Sequence, residues 1–473
     1  MRLRVCTATL LLACAALAQP AKPPASYRDL KFPPPARIKA PEPLRFQLAN
    51  GLVVYLMEDH ELPTIAMNAM VRAGSFWEPV SKAGLAGICA TVMRTGGSTT
   101  RNGDQLDREL DRLGASVEVY SSGDNSNAGF FALKEDLDKA LPILADILQH
   151  PAFPEDKIEL AKIDARATID RRNDDPGGIA SREYNRAMYG KDSPFAHQTE
   201  YATINAITRD DLVAFHKQFY QPESIIVGAW GDFDSKAMRA KIEHAFGDWQ
   251  RGGRERPKIP AAEVQGKGGV YLIDKEDATQ STVVAGLPGG RMDDPDFFAA
   301  TVMNNILGNG FASRLFAHVR TEQGLAYAIG SSWDANYEYT GTFNASGGSK
   351  SETTVKFIRA IQREIQRMSQ DAVTPTELAR GKDNILKGIA FDFDSTAKIA
   401  TRLMMYEYYG YPRDFLEKYQ EGIAKVTADD VMRVAKKYLN GELAIVVVGK
   451  AKDFDAPLTS LGKVTAVDIT IPR

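Results

Sequence analysis

The most distinctive hydrophobic pattern of the chain lies in residues 84–97, which read G-L-A-G-I-C-A-T-V-M-R-T-G-G. Apolar residues recur there at spacings of three and four, which predicts a helix with one buried stripe. That stripe consists of Leu85, Ile88, Cys89 and Val92. The opposite face carries Gly87, Ala90, Thr91 and Arg94. We expect Gly96-Gly97 to end the helix, because glycine accepts the left-handed C-cap geometry.

Around this helix the first half of the chain follows an α/β pattern. Short runs of β-branched and apolar residues predict strands, and apolar residues at a period of three to four predict helices. The predicted strands cover residues 51–57, 64–71, 115–120, 127–133 and 224–229. The predicted helices cover residues 103–114, 134–149, 154–173 and 209–219, in addition to 84–97.

The second half of the chain repeats the pattern of the first. I-T-R-D-D-L at 207–212 is answered by V-T-A-D-D-V at 426–431, and S-I-I-V-G at 224–228 by A-I-V-V-V-G at 444–449. The two offsets are nearly the same, so the repeat is the duplication of a large domain. In each T-x-D-D sequence the threonine is expected to cap a helix, which is a structural role without chemistry.

Length and composition agree with two domains and exclude one class of partner. A chain of 473 residues exceeds what one hydrophobic core usually supports. Residues 251–269 are rich in Gly and Pro and have no apolar period, so they are interpreted as a linker between domains at 44–250 and 270–473. The formal net charge of −3, without any Lys/Arg-rich stretch, argues against a nucleic-acid partner.

The N-terminal residues predict export. Residues 1–18 combine a basic start, an apolar stretch too short to span a membrane and a small-residue cleavage site at Ala18, which is typical of a secretory signal peptide. We therefore expect a periplasmic protein, with a lipoprotein anchored at Cys14 as the other interpretation. Residues 19–43 contain eight prolines and predict an extended arm, either a disordered linker or a segment lying along a neighbouring subunit.

Several short motifs, taken in order, resemble the pitrilysin (insulinase) family of zinc peptidases. They are R-A-G-S at 72–75, G-L-A at 84–86, L-D-R-L-G-A at 110–115, S-R-L-F at 313–316 and G-L-A-Y at 324–327. The resemblance extends over residues 44–450 and depends on the order and spacing of these motifs. It implies an α+β fold of two homologous α/β-sandwich domains, as in mitochondrial processing peptidase.

The zinc motif of that family is absent at the expected position. Active members carry H-x-x-E-H directly after G-L-A, because two histidines one helical turn apart bind zinc and the glutamate activates the bound water. A glutamate on a later helix completes the ligands. The corresponding positions here are Gly87, Ala90, Thr91 and, on the later helix, about Thr168. Since none of these residues can bind zinc or activate water, the resemblance predicts no zinc and no other cofactor in this chain.

The second-half motif of the family is intact. Residues 313–327 read S-R-L-F-A-H-V-R-T-E-Q-G-L-A-Y. The resemblance implies that Arg320 and Tyr327 hold substrate carbonyls and stabilise the oxyanion at a zinc site facing them. We expect Gly324 to end the helix so that Tyr327 starts a strand. The other interpretation of the pair is a surface arginine at a helix end and a half-buried tyrosine in a strand. The loop at 308–310 lacks the G-K-[ST] of a phosphate loop and is assigned to a turn or close packing.

These features lead to three hypotheses. The first is a zinc-free subunit of a heteromeric metallopeptidase, whose homologous partner binds zinc while Arg320 and Tyr327 act on the peptide substrate. The second is a catalytically dead scaffold or peptide-binding protein that works without such a partner, for instance by strand addition at a sheet edge. The third is an autonomous metallopeptidase with a relocated site.

Overall fold

Two six-stranded sheets organise the protein in the computed structural model, which describes residues 37–253, 255–261 and 263–473. The first sheet has the strand order β1-β2-β6-β3-β5-β4 and the second has the order β12-β7-β11-β8-β10-β9. The predicted signal peptide and residues 19–36 of the predicted arm lie outside the described residues.

The secondary structure elements are as follows. The strands are β1 (Leu44–Gln47), β2 (Val53–Glu58), β3 (Thr64–Val71), β4 (Ser116–Ser121), β5 (Ser126–Leu133), β6 (Ile225–Gly231), β7 (Gly269–Asp274), β8 (Ser281–Pro288), β9 (Ile329–Trp333), β10 (Thr342–Ser349), β11 (Ala444–Gly449) and β12 (Val464–Ala466). The helices are α1 (Leu85–Thr95), α2 (Gly103–Leu113), α3 (Leu137–Gln149), α4 (Glu155–Arg171), α5 (Pro176–Tyr189), α6 (Tyr201–Asn205), α7 (Arg209–Phe219), α8 (Ser235–Phe246), α9 (Phe297–Gly308), α10 (Thr354–Gln370), α11 (Pro375–Gly388), α12 (Thr396–Tyr409), α13 (Phe415–Lys425) and α14 (Ala428–Tyr438). Short 3₁₀ helices lie at Ser75–Trp77, Val80–Lys82, Lys134–Asp136, Pro222–Ser224, Ser351–Thr353, Ile389–Asp392, Ala451–Asp453 and Leu458–Leu461, and a π-helix lies at Leu315–Glu322.

Five strands of each sheet share one topology, which confirms the predicted fold class of two homologous α/β domains. In each sheet the second and third strands are parallel, β2 with β6 and β7 with β11, and β6 and β11 pair antiparallel with β3 and β8. The sheets differ at one edge, where β1 pairs with β2 antiparallel and β12 pairs with β7 parallel. Thr208 and Thr427 cap α7 and α14, and each forms a capping box with the aspartate three residues later. The T-x-D-D sequences therefore have the structural role predicted for them.

Each sheet is covered on one face by a helix from the other half of the chain. Helix α5 packs on β8 and β11, where the Tyr184 hydroxyl donates to the Phe343 carbonyl at 2.8 Å. Helix α12 packs on β2 and β6, where Met404 is fully buried. A glycine makes room at each contact, because a Cβ on Gly286 would lie 2.2 Å from the Tyr184 hydroxyl and one on Gly228 would lie 2.3 Å from the Met404 sulfur.

The end of the arm and part of the linker are hydrogen-bonded to residues that are distant in sequence. The Ile38 N–H donates to Gln420 Oε1 at 2.9 Å, and Gln420 Nε2 donates back to the Ile38 carbonyl at 3.0 Å, so this end of the arm binds α13 of its own chain. In the linker, the Pro257 carbonyl accepts from Nε of the buried Arg72 at 2.6 Å. Arg72 also forms an ion pair with Glu338 of the second half.

No helix within the ranges that the structure describes is both long enough and apolar enough to cross a membrane.

Candidate functional site

Helix α1 is positioned by a glutamate that precedes it. Glu78 is buried and accepts from the first free amides of the helix, with Oε1 2.8 Å from Gly84 N and Oε2 2.9 Å from Ala86 N. Nε2 of His197 lies 3.2 Å from Glu78 Oε1, and both side chains are almost completely buried. A carboxylate at this end is favoured, since the N-terminal amides carry partial positive charge. The helix ends as predicted, with Gly97 at φ +73°.

A cavity of about 590 Å³ lies between α1 and α4, at the position of the lost zinc motif. Gly87 and Thr91 on α1 and Thr168 on α4 all line it, so three of the four predicted motif positions meet at one place. A Cβ added to Gly87 would have no atom within 4 Å, so the cavity occupies the space where a larger side chain would project.

Ala90 is the exception among the four motif positions. The sequence pattern placed it on the small face with Gly87 and Thr91, but it is only 1% exposed and packs in the core. Three residues along a helix correspond to a rotation of about 300°, so Ala90 is displaced by about 60° from Gly87 toward the side that meets the sheet. The exposed strip of α1 is therefore narrower than predicted.

The residues of this cavity do not fit a zinc ion. Gly87 has no side chain, and the Thr168 hydroxyl donates to the Asp164 carbonyl of its own helix at 3.0 Å. Zinc in proteins takes imidazole, thiolate or carboxylate ligands. Throughout residues 37–253, 255–261 and 263–473, no group of three or more His, Cys, Asp or Glu side chains could hold a metal ion.

Arg320 and Tyr327 lie side by side on the second domain. Arg320 is on the π-helix, and its guanidinium carbon lies 4.3 Å from the ring centre of Phe316 and 5.5 Å from that of Tyr327. These are cation–π distances, which orient both side chains. Gly324, at φ +63°, turns the chain between them. The expectation that Tyr327 begins a strand is wrong, because β9 begins at Ile329 and Tyr327 is 83% exposed.

The backbone under this pair is held firmly by its neighbours. Leu315 and Val319 of the π-helix are fully buried, and Arg314 forms a two-bond ion pair with Glu377 of α11 at 2.7 and 3.1 Å. Burial by itself raises the pKa of Glu377, but the bonds from Arg314 and from Thr374 outweigh it and lower the pKa to about 2. The backbone that bears Arg320 and Tyr327 is thus fixed by buried side chains and by the ion pair to α11.

Sequence reasoning missed the partners that hold these elements in place. Glu78 and His197 are 119 positions apart, so no local pattern indicates their contact. The Glu377 carboxylate follows Thr374 by three residues, which signals a capping box, but its ion pair with Arg314 is a contact across 63 positions. Only the spatial arrangement brings these groups together.

Two family descriptions match most of the chain. The insulinase model, peptidase family M16, matches residues 53–197, and the model described as the peptidase M16 inactive domain matches residues 206–385. Among similar proteins, an uncharacterized zinc protease of Rickettsia felis is 25% identical over 410 residues, covering 85% of this chain and 96% of that protein. One of Mycobacterium tuberculosis is 26% identical over 415 residues, covering 86% and 93%.

Solved structures show the same fold. The peptidase M16 inactive domain from Pseudomonas fluorescens aligns with a TM-score of 0.75 at 24% identity, covering 86% of this chain and 98% of that one. A protease from Helicobacter pylori aligns with a TM-score of 0.74 at 19% identity, covering 87% and 100%. Two successive family matches, the paired sheets and the motifs in their expected order lead to one conclusion: the chain belongs to the insulinase, or pitrilysin, family of peptidases (M16).

Proposed function

We propose that this chain is the zinc-free subunit of a heteromeric peptidase of the family, exported to the periplasm. In this proposal Arg320 and Tyr327 bind the peptide substrate at the zinc site of a homologous partner subunit. The observation that carries the proposal is the 83% exposure of Tyr327 beside Arg320, which stacks on two rings and makes no ion pair with any described residue.

The chemistry of the pair suits a peptide bond under attack. A guanidinium offers several N–H donors in a fixed plane and a phenol offers one O–H donor, so both can bind carbonyl oxygens. Donors aimed at the developing oxyanion stabilise the transition state, each by about 3 kcal/mol. The partner's zinc supplies the activated water. This chain supplies orientation and charge stabilisation.

The test uses the complex purified with its zinc-bearing partner. We expect Arg320→Ala and Tyr327→Phe each to lower kcat for peptide hydrolysis by about 100-fold while the complex stays assembled. Arg359→Ala and Tyr120→Phe are matched controls, because both residues are exposed and lie outside the pair. Hydrolysis by both Arg320 and Tyr327 variants at the wild-type rate would contradict the proposal. A homogeneous single-chain protein recovered from the periplasm would favour the scaffold hypothesis instead.

A further inference from the structure

A cavity in the second domain lies where the duplication repeats the position of the absent zinc motif of the first. Helix α9 follows β8 as α1 follows β3, and α9 packs against α11 as α1 packs against α4. The cavity at this contact has a volume of about 1110 Å³, nearly twice that of the cavity beside α1. Ligand cavities in proteins usually measure about 300–1,000 Å³, so this one has room for a peptide segment.

Two buried polar atoms at this cavity have no partner. Asn305 of α9 is only 7% exposed, lines the cavity, and has no hydrogen-bond partner for Oδ1. Trp333 at the end of β9 also lines it, and its buried Nε1 donor is unpaired. Buried polar groups in native proteins are normally satisfied, so each needs an explanation. One unpaired acceptor and one unpaired donor are the complement of the N–H and C=O groups of a peptide backbone.

The remaining lining favours an aromatic side chain with an acidic neighbour. Rings surround the cavity, and aromatic pairs gain energy beyond their buried area. They include the rings of Trp333, Tyr406, Tyr411, Phe415 and Tyr419. Of the two arginines in the lining, Arg402 is paired with Asp392 at 2.7 Å. Arg380 donates one N–H to the Ala312 carbonyl at 3.5 Å and makes no ion pair with any described residue. Arg380 is therefore available for a carboxylate.

A row of side chains in contact connects this cavity with the exposed pair. Phe311 lines the cavity, and its ring centre lies 5.0 Å from that of Phe316. Phe316 in turn stacks on Arg320, which stacks on Tyr327. A peptide held in the cavity would thus continue along a contiguous surface toward Arg320 and Tyr327.

We infer that the cavity between α9 and α11 is a peptide-binding site of this chain, which takes an aromatic side chain next to an acidic residue. Binding there belongs to the chain itself and needs neither a partner nor hydrolysis. It would select the peptides that reach Arg320 and Tyr327.

Two glycines give a matched pair of variants for the test. Gly388 lines this cavity and Gly87 lines the cavity beside α1, and a Cβ on either has no atom within 4 Å. Both have backbone angles that any residue adopts. Gly388→Leu therefore projects a side chain into the proposed site, and Gly87→Leu projects one into the other cavity. Arg380→Gln removes the positive charge, and Trp333→Phe removes the Nε1 donor while keeping an aromatic ring.

The measurement is fluorescence anisotropy of fluorescein-labelled decapeptides with the purified chain. The probe is a Gly/Ser peptide with one Phe-Asp pair, compared with versions in which Phe is Ala or Asp is Lys. We expect both altered peptides, and the Gly388→Leu and Arg380→Gln variants with the original peptide, to bind about tenfold more weakly or worse, the loss that one buried aromatic group or one ion pair represents. Gly87→Leu should bind as the wild type does.

The inference is wrong if the chain binds no peptide, if Gly388→Leu binds normally, or if both glycine variants lose binding equally. Trp333→Phe tests the site independently if Gly388→Leu misfolds. It should also weaken peptide binding while retaining the wild-type circular dichroism spectrum. Hydrolysis by the assembled complex separates this inference from the proposed function. If Arg320→Ala loses activity while Gly388→Leu binds peptide normally, only the peptide site in the cavity is refuted. If Arg320→Ala keeps its activity while Gly388→Leu loses peptide binding, only the role of Arg320 is refuted.

Discussion

Replacing Glu78 by glutamine should destabilise helix α1 selectively. The carboxylate accepts two amide hydrogen bonds, from Gly84 and Ala86, and faces His197. Glutamine keeps one acceptor oxygen, so its NH₂ group would oppose one of the two N–H groups. A bond to a charged group contributes about 1.5–3 kcal/mol, and a charge at a helix N-terminus up to about 2 kcal/mol. We expect the variant to lose about 2–4 kcal/mol in the opening free energy of α1.

Hydrogen exchange under native conditions measures that quantity for the α1 amides directly. The matched control is Glu159→Gln on α4, which removes an exposed carboxylate paired with Lys162 and should cost under about 1 kcal/mol. If the α1 amides of Glu78→Gln exchange at the wild-type rate, then the buried carboxylate is not what holds this helix, and the reasoning fails.

Three further predictions concern packing and pH. Gly286→Ala should lower the free energy of unfolding by about 1–3 kcal/mol in urea titration, because its Cβ would overlap the Tyr184 hydroxyl; equal stability would show that α5 can shift. The ion pair of Glu377 with Arg314 should stabilise the fold fully above about pH 4.5 and lose its effect as pH falls toward 2, since the pKa of Glu377 is lowered in the fold. Urea midpoints of wild type and Glu377→Gln should therefore converge in acid; a constant difference would contradict this. Burial lowers the pKa of His216 from 6.5 to about 4, although its bond to a backbone carbonyl acts the other way. Stability should fall between pH 6.5 and 4, by about 3 kcal/mol at most, and His216→Gln should lack this slope.

Local patterns were sufficient to predict most elements of the first domain. β3 and α7 begin and end at the predicted residues, because a strand and a capped helix are encoded within a few positions of their own sequence. The convergence of Gly87, Thr91 and Thr168 on one cavity also follows from the resemblance. Ala90 deviates because the helical period does not reveal how wide the exposed strip is.

Features that depend on distant contacts could not be predicted. Three features depend on residues that are far apart in sequence. They are the packing of α5 and α12 on the sheet of the other half, the ion pair between Arg72 and Glu338, and the unpaired atoms of Asn305 and Trp333. Tyr327 was expected at the start of a strand, but β9 begins two residues later, at Ile329. Periodicity does not encode such arrangements.

Because α5 and α12 each cover the sheet of the other half, neither half can bury its own sheet alone. Either half expressed alone would expose the apolar face of its own sheet and a helix with nothing to cover. A cut in the linker should therefore leave two fragments that remain associated, and separately produced halves should complement each other only when mixed. The same dependence gives a physical reason why a half without metal ligands must be kept: its helix still covers the sheet of the other half.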